Sequence, residues 1–135
     1  MYEKILVTLD ASLVDEAIIS HVEGLAKVHD ATVYLMRVAH YHTRGEKIYE
    51  VEQAEEYLGE VRERLAAKGL KVEVVLGHGE PAQEIKRHAE ELGCDLIAMA
   101  THGHGFIGDL VFGSVARDLR HSTDIPLLLI RGAPA

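Results

Sequence analysis

Residues 95–114 read Asp95-Leu96-Ile97-Ala98-Met99-Ala100-Thr101-His102-Gly103-His104-Gly105-Phe106-Ile107-Gly108-Asp109-Leu110-Val111-Phe112-Gly113-Ser114. The apolar run at 95–99 predicts a buried strand, and the glycines after it predict a loop that leads into a helix beginning near Ser114. Strand, glycine-rich loop and helix together make an anion site. Glycine lets the backbone approach a ligand with no Cβ in the way, and the first helical turn offers unpaired N–H groups at the positive end of its dipole. Phosphate is the ligand such a site takes most often.

Two familiar phosphate motifs fail here. Gly108-x-x-x-x-Gly113-Ser114 has part of the P-loop spacing, but no Lys precedes the hydroxyl and no strand runs into Gly108. Gly103-x-Gly105-x-x-Gly108 matches the dinucleotide fingerprint and follows a strand. That fingerprint also needs an acid roughly twenty residues on, at the end of a second strand. Asp124 stands at that distance but precedes the last strand, and too little chain remains for a nicotinamide half.

Working outward, Ile5-Leu6-Val7-Thr8-Leu9 is a nearly continuous β-forming run ended by Asp10. Val14, Ile18, Val22 and Leu25 then recur at helical spacing, with Ser12 and Asp15 spaced as a capping box. Residues 32–38 predict the second strand and 39–45 a polar loop. Val51, Ala54, Leu58, Val61 and Leu65 mark a long helix ending near Gly69. The alternation at 71–76 predicts a third strand nearer the sheet edge, and Pro81 opens a helix with Ala82, Ile85, Ala89 and Leu92 as its buried stripe. Pro126 to Ile130 is the fifth strand. This β-α alternation predicts an α/β fold: a single-domain, five-stranded parallel sheet with right-handed crossovers and helices on both faces. Residues 1–132 form the domain and 133–135 a frayed tail.

Three stretches carry a resemblance. They are Lys4-Ile5-Leu6-Val7-Thr8-Leu9-Asp10-Ala11-Ser12, Gly77-His78-Gly79-Glu80-Pro81-Ala82 and Ser122-Thr123-Asp124-Ile125-Pro126-Leu127-Leu128-Leu129-Ile130. With Gly103, nine intervening residues and Gly113-Ser114, the chain resembles the universal stress protein family. Nucleotide-binding members of that family carry Gly-x-x-Gly, nine residues, then Gly-Ser or Gly-Thr. One position departs from the pattern: Ala100 stands where the first glycine would be.

The resemblance implies an adenine nucleotide alpha hydrolase-like (Rossmann-like) sheet in the order 3-2-1-4-5, with the ligand at the switch point between the first and fourth strands. It implies ATP, or ADP or AMP, with Mg or Mn carried by the phosphates. The nucleotide-binding residues carried over are Asp10, Val38, Ala100, Gly103, His104, Gly113, Ser114 and Val115. Asp10 would meet the ribose or a bound metal, Val38 would hold adenine through its backbone, and Gly103, His104, Gly113 and Ser114 would meet phosphate. Ala100 would be tolerated in extended backbone and disfavoured at positive φ. The simpler reading of Gly113 and Ser114 is a turn and an N-cap for the last helix. The resemblance also implies a homodimer through Leu127, Leu128, Leu129 and Ile130, a run that would otherwise leave an apolar sheet edge exposed.

The formal charge of −8 sets aside nucleic acid or an anionic membrane as the main partner, since both call for a basic surface. Nucleotides remain open, because N–H groups and helix dipoles do not enter net charge. The single cysteine, Cys94, permits no internal disulfide and reads as a small core residue in a reduced compartment. The first residues lack a long apolar segment with a cleavage site, and no stretch is long enough to cross a membrane, so a cytoplasmic protein is expected.

His102 and His104, like His40 and His42, lie two apart, but no third and fourth metal ligand can be assigned. Arg117 and Arg120 reach phosphate or solvent. No nucleophile with an adjacent base is visible, so catalysis is not expected beyond slow ATP hydrolysis or self-phosphorylation of the kind the family implies. The leading reading is a nucleotide-responsive stress regulator. The alternatives are a nucleotide-free dimeric interaction protein of the same fold and a weak ATPase or phosphotransferase.

Overall fold

Ile5, Leu6 and Val7 are all fully buried, which consecutive strand residues achieve only when both sheet faces are covered. The computed structural model describes residues 1–102 and 105–131, with backbone alone over 101–102 and 105–113. The order is β1 (Lys4–Thr8), α1 (Asp15–His29), β2 (Thr32–Ala39), α2 (Arg44–Ala66), β3 (Lys71–His78), α3 (Pro81–Leu92), β4 (Leu96–His102), α4 (Gly105–Ser122) and β5 (Leu127–Arg131). The five strands form one sheet in the order β3-β2-β1-β4-β5, and every pair is parallel. This is the expected strand order, with β3 on an edge.

The sheet divides the core in two. Ile5, Val7, Val33, Leu35 and Ala98 face one layer, against Ile18 and Val22 of α1 and Leu58 and Leu65 of α2. Leu6, Met36, Ile97 and Met99 face the other, against Ile85 of α3 and Leu119 of α4. Cys94 is a buried free thiol of that second layer, and burial pushes its pKa up to about 11.

Local chemistry sets the element ends. Glu80 caps α3 by accepting from the Ala82 and Gln83 N–H groups, Pro81 sits in the first turn, and Gly93 ends the helix at φ 74°. Thr43 and Glu46 form a reciprocal capping box that starts α2 at Arg44, inside the stretch expected to be loop. The Thr-x-x-Glu spacing is the signature of that box.

Two expectations are corrected. The helix expected from Ser114 begins at Gly105, so Gly113 and Ser114 lie in its interior instead of turning or capping it. Phe106 with Leu110, and Ile107 with Val111, continue the helical period N-terminally, outweighing glycines that each cost about 1 kcal/mol in a helix. The capping box expected at Ser12 and Asp15 does not form. The N-cap of α1 is Val14, with no side-chain cap bond, and Asp15 N–H bonds to the Ser12 carbonyl.

Candidate functional site

β1 and β4 are neighbours in the sheet while their following helices pack on opposite faces. The chain therefore splits apart at their carboxyl ends, the place where open α/β sheets hold ligands. Thr8 pairs with Met36 and Val7 with Ala98. Asp10 lies two residues beyond Thr8, Val38 two beyond Met36, and Ala100 two beyond Ala98, so the register brings all three to one end of the sheet.

Asp10 is half-buried, and its Oδ1 accepts from the Ser12 N–H at 3.0 Å. Val38 is half-buried and packs on the α3/α4-side core. Ala100 lies within β4, is buried, and pairs with Ile130. Among the described non-glycine residues only Ala11 and Asp30 have positive φ, so the alanine departure sits in backbone that accommodates a methyl group. Val115 is buried in the same core as Val38 and Ser114 is half-buried. Inside α4 their amides serve the intrahelical ladder, and the N–H groups free for a ligand are those of the first turn, Gly105 to Gly108. Gly103 and His104 lie outside the described residues, as do residues 132–135.

Asp15 holds the turn from inside instead of capping α1. It is 2% exposed. Its Oδ1 accepts from the Asp10 N–H at 3.3 Å, and its Oδ2 accepts from the Ala11 N–H at 2.8 Å and the Tyr57 hydroxyl at 2.6 Å. Burial raises its pKa to about 6, against the lowering effect of the Tyr57 hydrogen bond, and the Asp10 charge pushes it further up. The signal for Asp15 was present: an acid three, four and seven residues before Ile18, Ile19 and Val22, on the buried stripe of α1. Nothing local pointed to Tyr57, 42 residues away.

The buried Thr8 Oγ1 and Ser12 Oγ have no hydrogen-bond partner among the described residues. Unpartnered buried hydroxyls are costly unless something polar meets them. With the Asp10 carboxylate they follow one another at the carboxyl end of β1.

At the ends of β2 and β3, Tyr41 stacks on His78 with ring centroids 3.9 Å apart, and His40 meets His42 edge-on at 4.8 Å. Among the described residues no group of three or more His, Cys, Asp or Glu is placed to hold a metal, and no helix is long and apolar enough to cross a membrane. Arg117 and Arg120 are exposed and line a groove of about 570 Å³ with Ile125, Leu127 and Leu129.

Comparison with known proteins agrees with this fold. The chain is 30% identical to universal stress protein MJ0531 of Methanocaldococcus jannaschii, over 97% of this chain and 83% of that one. The solved structure of MJ0577 from the same organism superposes with a TM-score of 0.82 at 26% identity, covering 100% of this chain and 99% of the other. The universal stress protein of Archaeoglobus fulgidus in complex with dAMP superposes with a TM-score of 0.73 at 25% identity, over 96% and 98% of the two chains. Residues 1–131 match the universal stress protein family, and the chain belongs to it.

Proposed function

We propose that this protein binds an adenine nucleotide, ATP with ADP and AMP as its relatives, at the carboxyl ends of β1 and β4, and that occupancy regulates a stress response in the cytoplasm. The observation that carries the reading is the switch point itself, with Asp10 leaving one strand and the glycine-rich segment leaving the next. The dAMP complex of the Archaeoglobus fulgidus relative supports the ligand class.

In this reading Asp10 accepts from ribose hydroxyls, Val38 meets adenine through its backbone, and Ala100 forms part of the floor. Gly103 and His104, with the first-turn amides of α4, face the phosphates. Within the helix Ser114 contributes its hydroxyl, while Gly113 and Val115 lend shape. Mg²⁺ or Mn²⁺, where bound, rides on the phosphates and neutralises their charge. A homodimer through Leu127 to Ile130 belongs to the same proposal: β5 is a sheet edge, and Leu129 is 47% exposed on it.

Calorimetric titration with ATP, ADP and AMP, with and without magnesium, tests the ligand. Saturable one-to-one binding of at least one nucleotide is expected, and no heat with any of them at millimolar concentration contradicts the proposal. One observation favours a second reading, a nucleotide-free interaction protein: α4 starts at Gly105 and keeps the Gly113 and Ser114 amides within its own ladder. Protein purified without added nucleotide and then heat-denatured distinguishes the two, because adenine nucleotide in the supernatant at near-stoichiometric amount contradicts the second.

A further inference from the structure

The turn from β1 into α1 gathers two unfavourable features in six residues. Ala11 adopts φ 64°, a left-handed conformation that costs a residue with a Cβ about 1–2 kcal/mol. Next to it the Asp15 carboxylate is buried, and its hydrogen-bond partners among the described residues are neutral donors: two backbone amides and the Tyr57 hydroxyl. A buried carboxylate without a cation is costly to keep. Strain and buried charge persist together only where the surroundings hold them in place, and such places cluster at ligand sites.

The bonds show what is held. Asp15 grips the amides of Asp10 and Ala11, and Tyr57 reaches across from α2 to fix Asp15. Asp10 Oδ1 is taken up by the Ser12 N–H. Oδ2 accepts from no N–H or hydroxyl among the described residues, and the Asp15 carboxyl group lies beside the Asp10 side chain. The two hydroxyls without a partner among the described residues stand on either side of Asp10 in the chain, Thr8 Oγ1 at the end of β1 and Ser12 Oγ in the turn.

We propose that Asp15, braced by Tyr57, is the positioning residue of the nucleotide pocket: it fixes the Asp10–Ala11 backbone so that the Asp10 carboxylate meets the ribose hydroxyls. This rests on the nucleotide-binding reading above and assigns two residues to it, neither of which touches the ligand.

The test compares AMP with dideoxyadenosine monophosphate, which lacks both ribose hydroxyls, by calorimetry on the wild type, Tyr57→Phe, Asp15→Asn and Thr43→Ala, the last a helix cap whose side-chain hydrogen bonds stay within the start of α2. In the wild type the dideoxy compound should bind about tenfold more weakly, as expected for lost hydrogen bonds to a carboxylate. Tyr57→Phe should weaken AMP about five- to tenfold and leave the dideoxy compound within about twofold, so that the ratio falls toward one. Asp15→Asn should do the same more strongly, and Thr43→Ala should leave the ratio unchanged. Tyr57→Phe keeps the ring and supplies the answer should Asp15→Asn fail to fold. A purely structural role would weaken both compounds equally, and that result, or an unchanged ratio in Tyr57→Phe, overturns the proposal while the nucleotide site stands. A wild type that binds neither compound overturns both.

Discussion

At Asp15, burial and hydrogen bonding pull the carboxyl group in opposite directions, and burial wins, raising its pKa from 3.8 to about 6. The folded state therefore holds this proton across a pH range in which the unfolded chain has released it. Its stabilising contribution is complete below about pH 3.8 and is lost as pH rises through 6, a loss on the order of 3 kcal/mol at neutrality. Urea unfolding at stepped pH should show the wild type losing stability relative to Asp15→Asn between about pH 4 and 6.5. Parallel curves would contradict this. Beside it, Ala11→Gly removes left-handed strain at the cost of a more flexible unfolded chain, for a net gain of roughly 0.5–1 kcal/mol. Thermal unfolding should show a rise of a few degrees, and a fall would mean that the strain is not there. That Asp10 ends a buried strand could be read from the sequence, because that is a local pattern, while its proposed part in a site came through the family resemblance. For Asp15 the helical spacing showed burial but not the bonds it makes, because neither that spacing nor Ser-x-x-Asp gives the direction in which the carboxylate turns. Tyr57 arrives only once α2 is packed.

Among the elements, α3 is fastened to β3 by Glu84. Its Oε1 accepts from the His78 N–H at 3.1 Å, and the Arg87 guanidinium holds the carboxylate through Nε and Nη2, each at 3.0 Å. The Arg87 hydrogen bonds lower its pKa from 4.5 to about 2. The sign is opposite to that of Asp15: this stabilisation is present above about pH 4.5 and is lost as pH falls toward 2. Glu84→Gln should therefore flatten the acid limb of the stability profile, whereas an acid limb identical to that of the wild type would contradict the assignment. At the start of α2, Thr43→Ala should cost about 1 kcal/mol, checked by denaturant midpoint. The start of α3 was legible in Pro81, whereas Thr43-x-x-Glu46 stands in a stretch read as polar loop, because the apolar stripe of α2 begins only at Val51. The start of α4 was harder. Gly105, Gly108 and Gly113 argue for loop and the apolar period argues for helix, and the helix prevails from Gly105. Gly113→Ala should then raise stability by up to about 1 kcal/mol, as in any helix interior, whereas a loss would mean that Gly113 needs freedom only glycine has.

For the whole molecule, alternating β and α segments were enough to predict a parallel sheet, because parallel strands need crossovers and helices make them. Strand order was not contained in that alternation. It came through family resemblance, and it decides where the proposed site lies, since the pairing of β1 with β4 sets Asp10 beside the end of β4. The order also leaves β5 as an edge with Leu129 exposed. Sedimentation at micromolar concentration should accordingly give a dimer that Leu129→Lys converts to monomer, and a wild-type monomer would contradict the interface. The central claim is the location of the nucleotide, and amide chemical-shift mapping with AMP tests it most directly. The account predicts perturbations concentrated at Asp10 to Ser12, Val38 to Ala39 and Ala100 to Gly108. Shifts confined to β5 or to the amino ends of the strands, or none at saturating AMP, would contradict it.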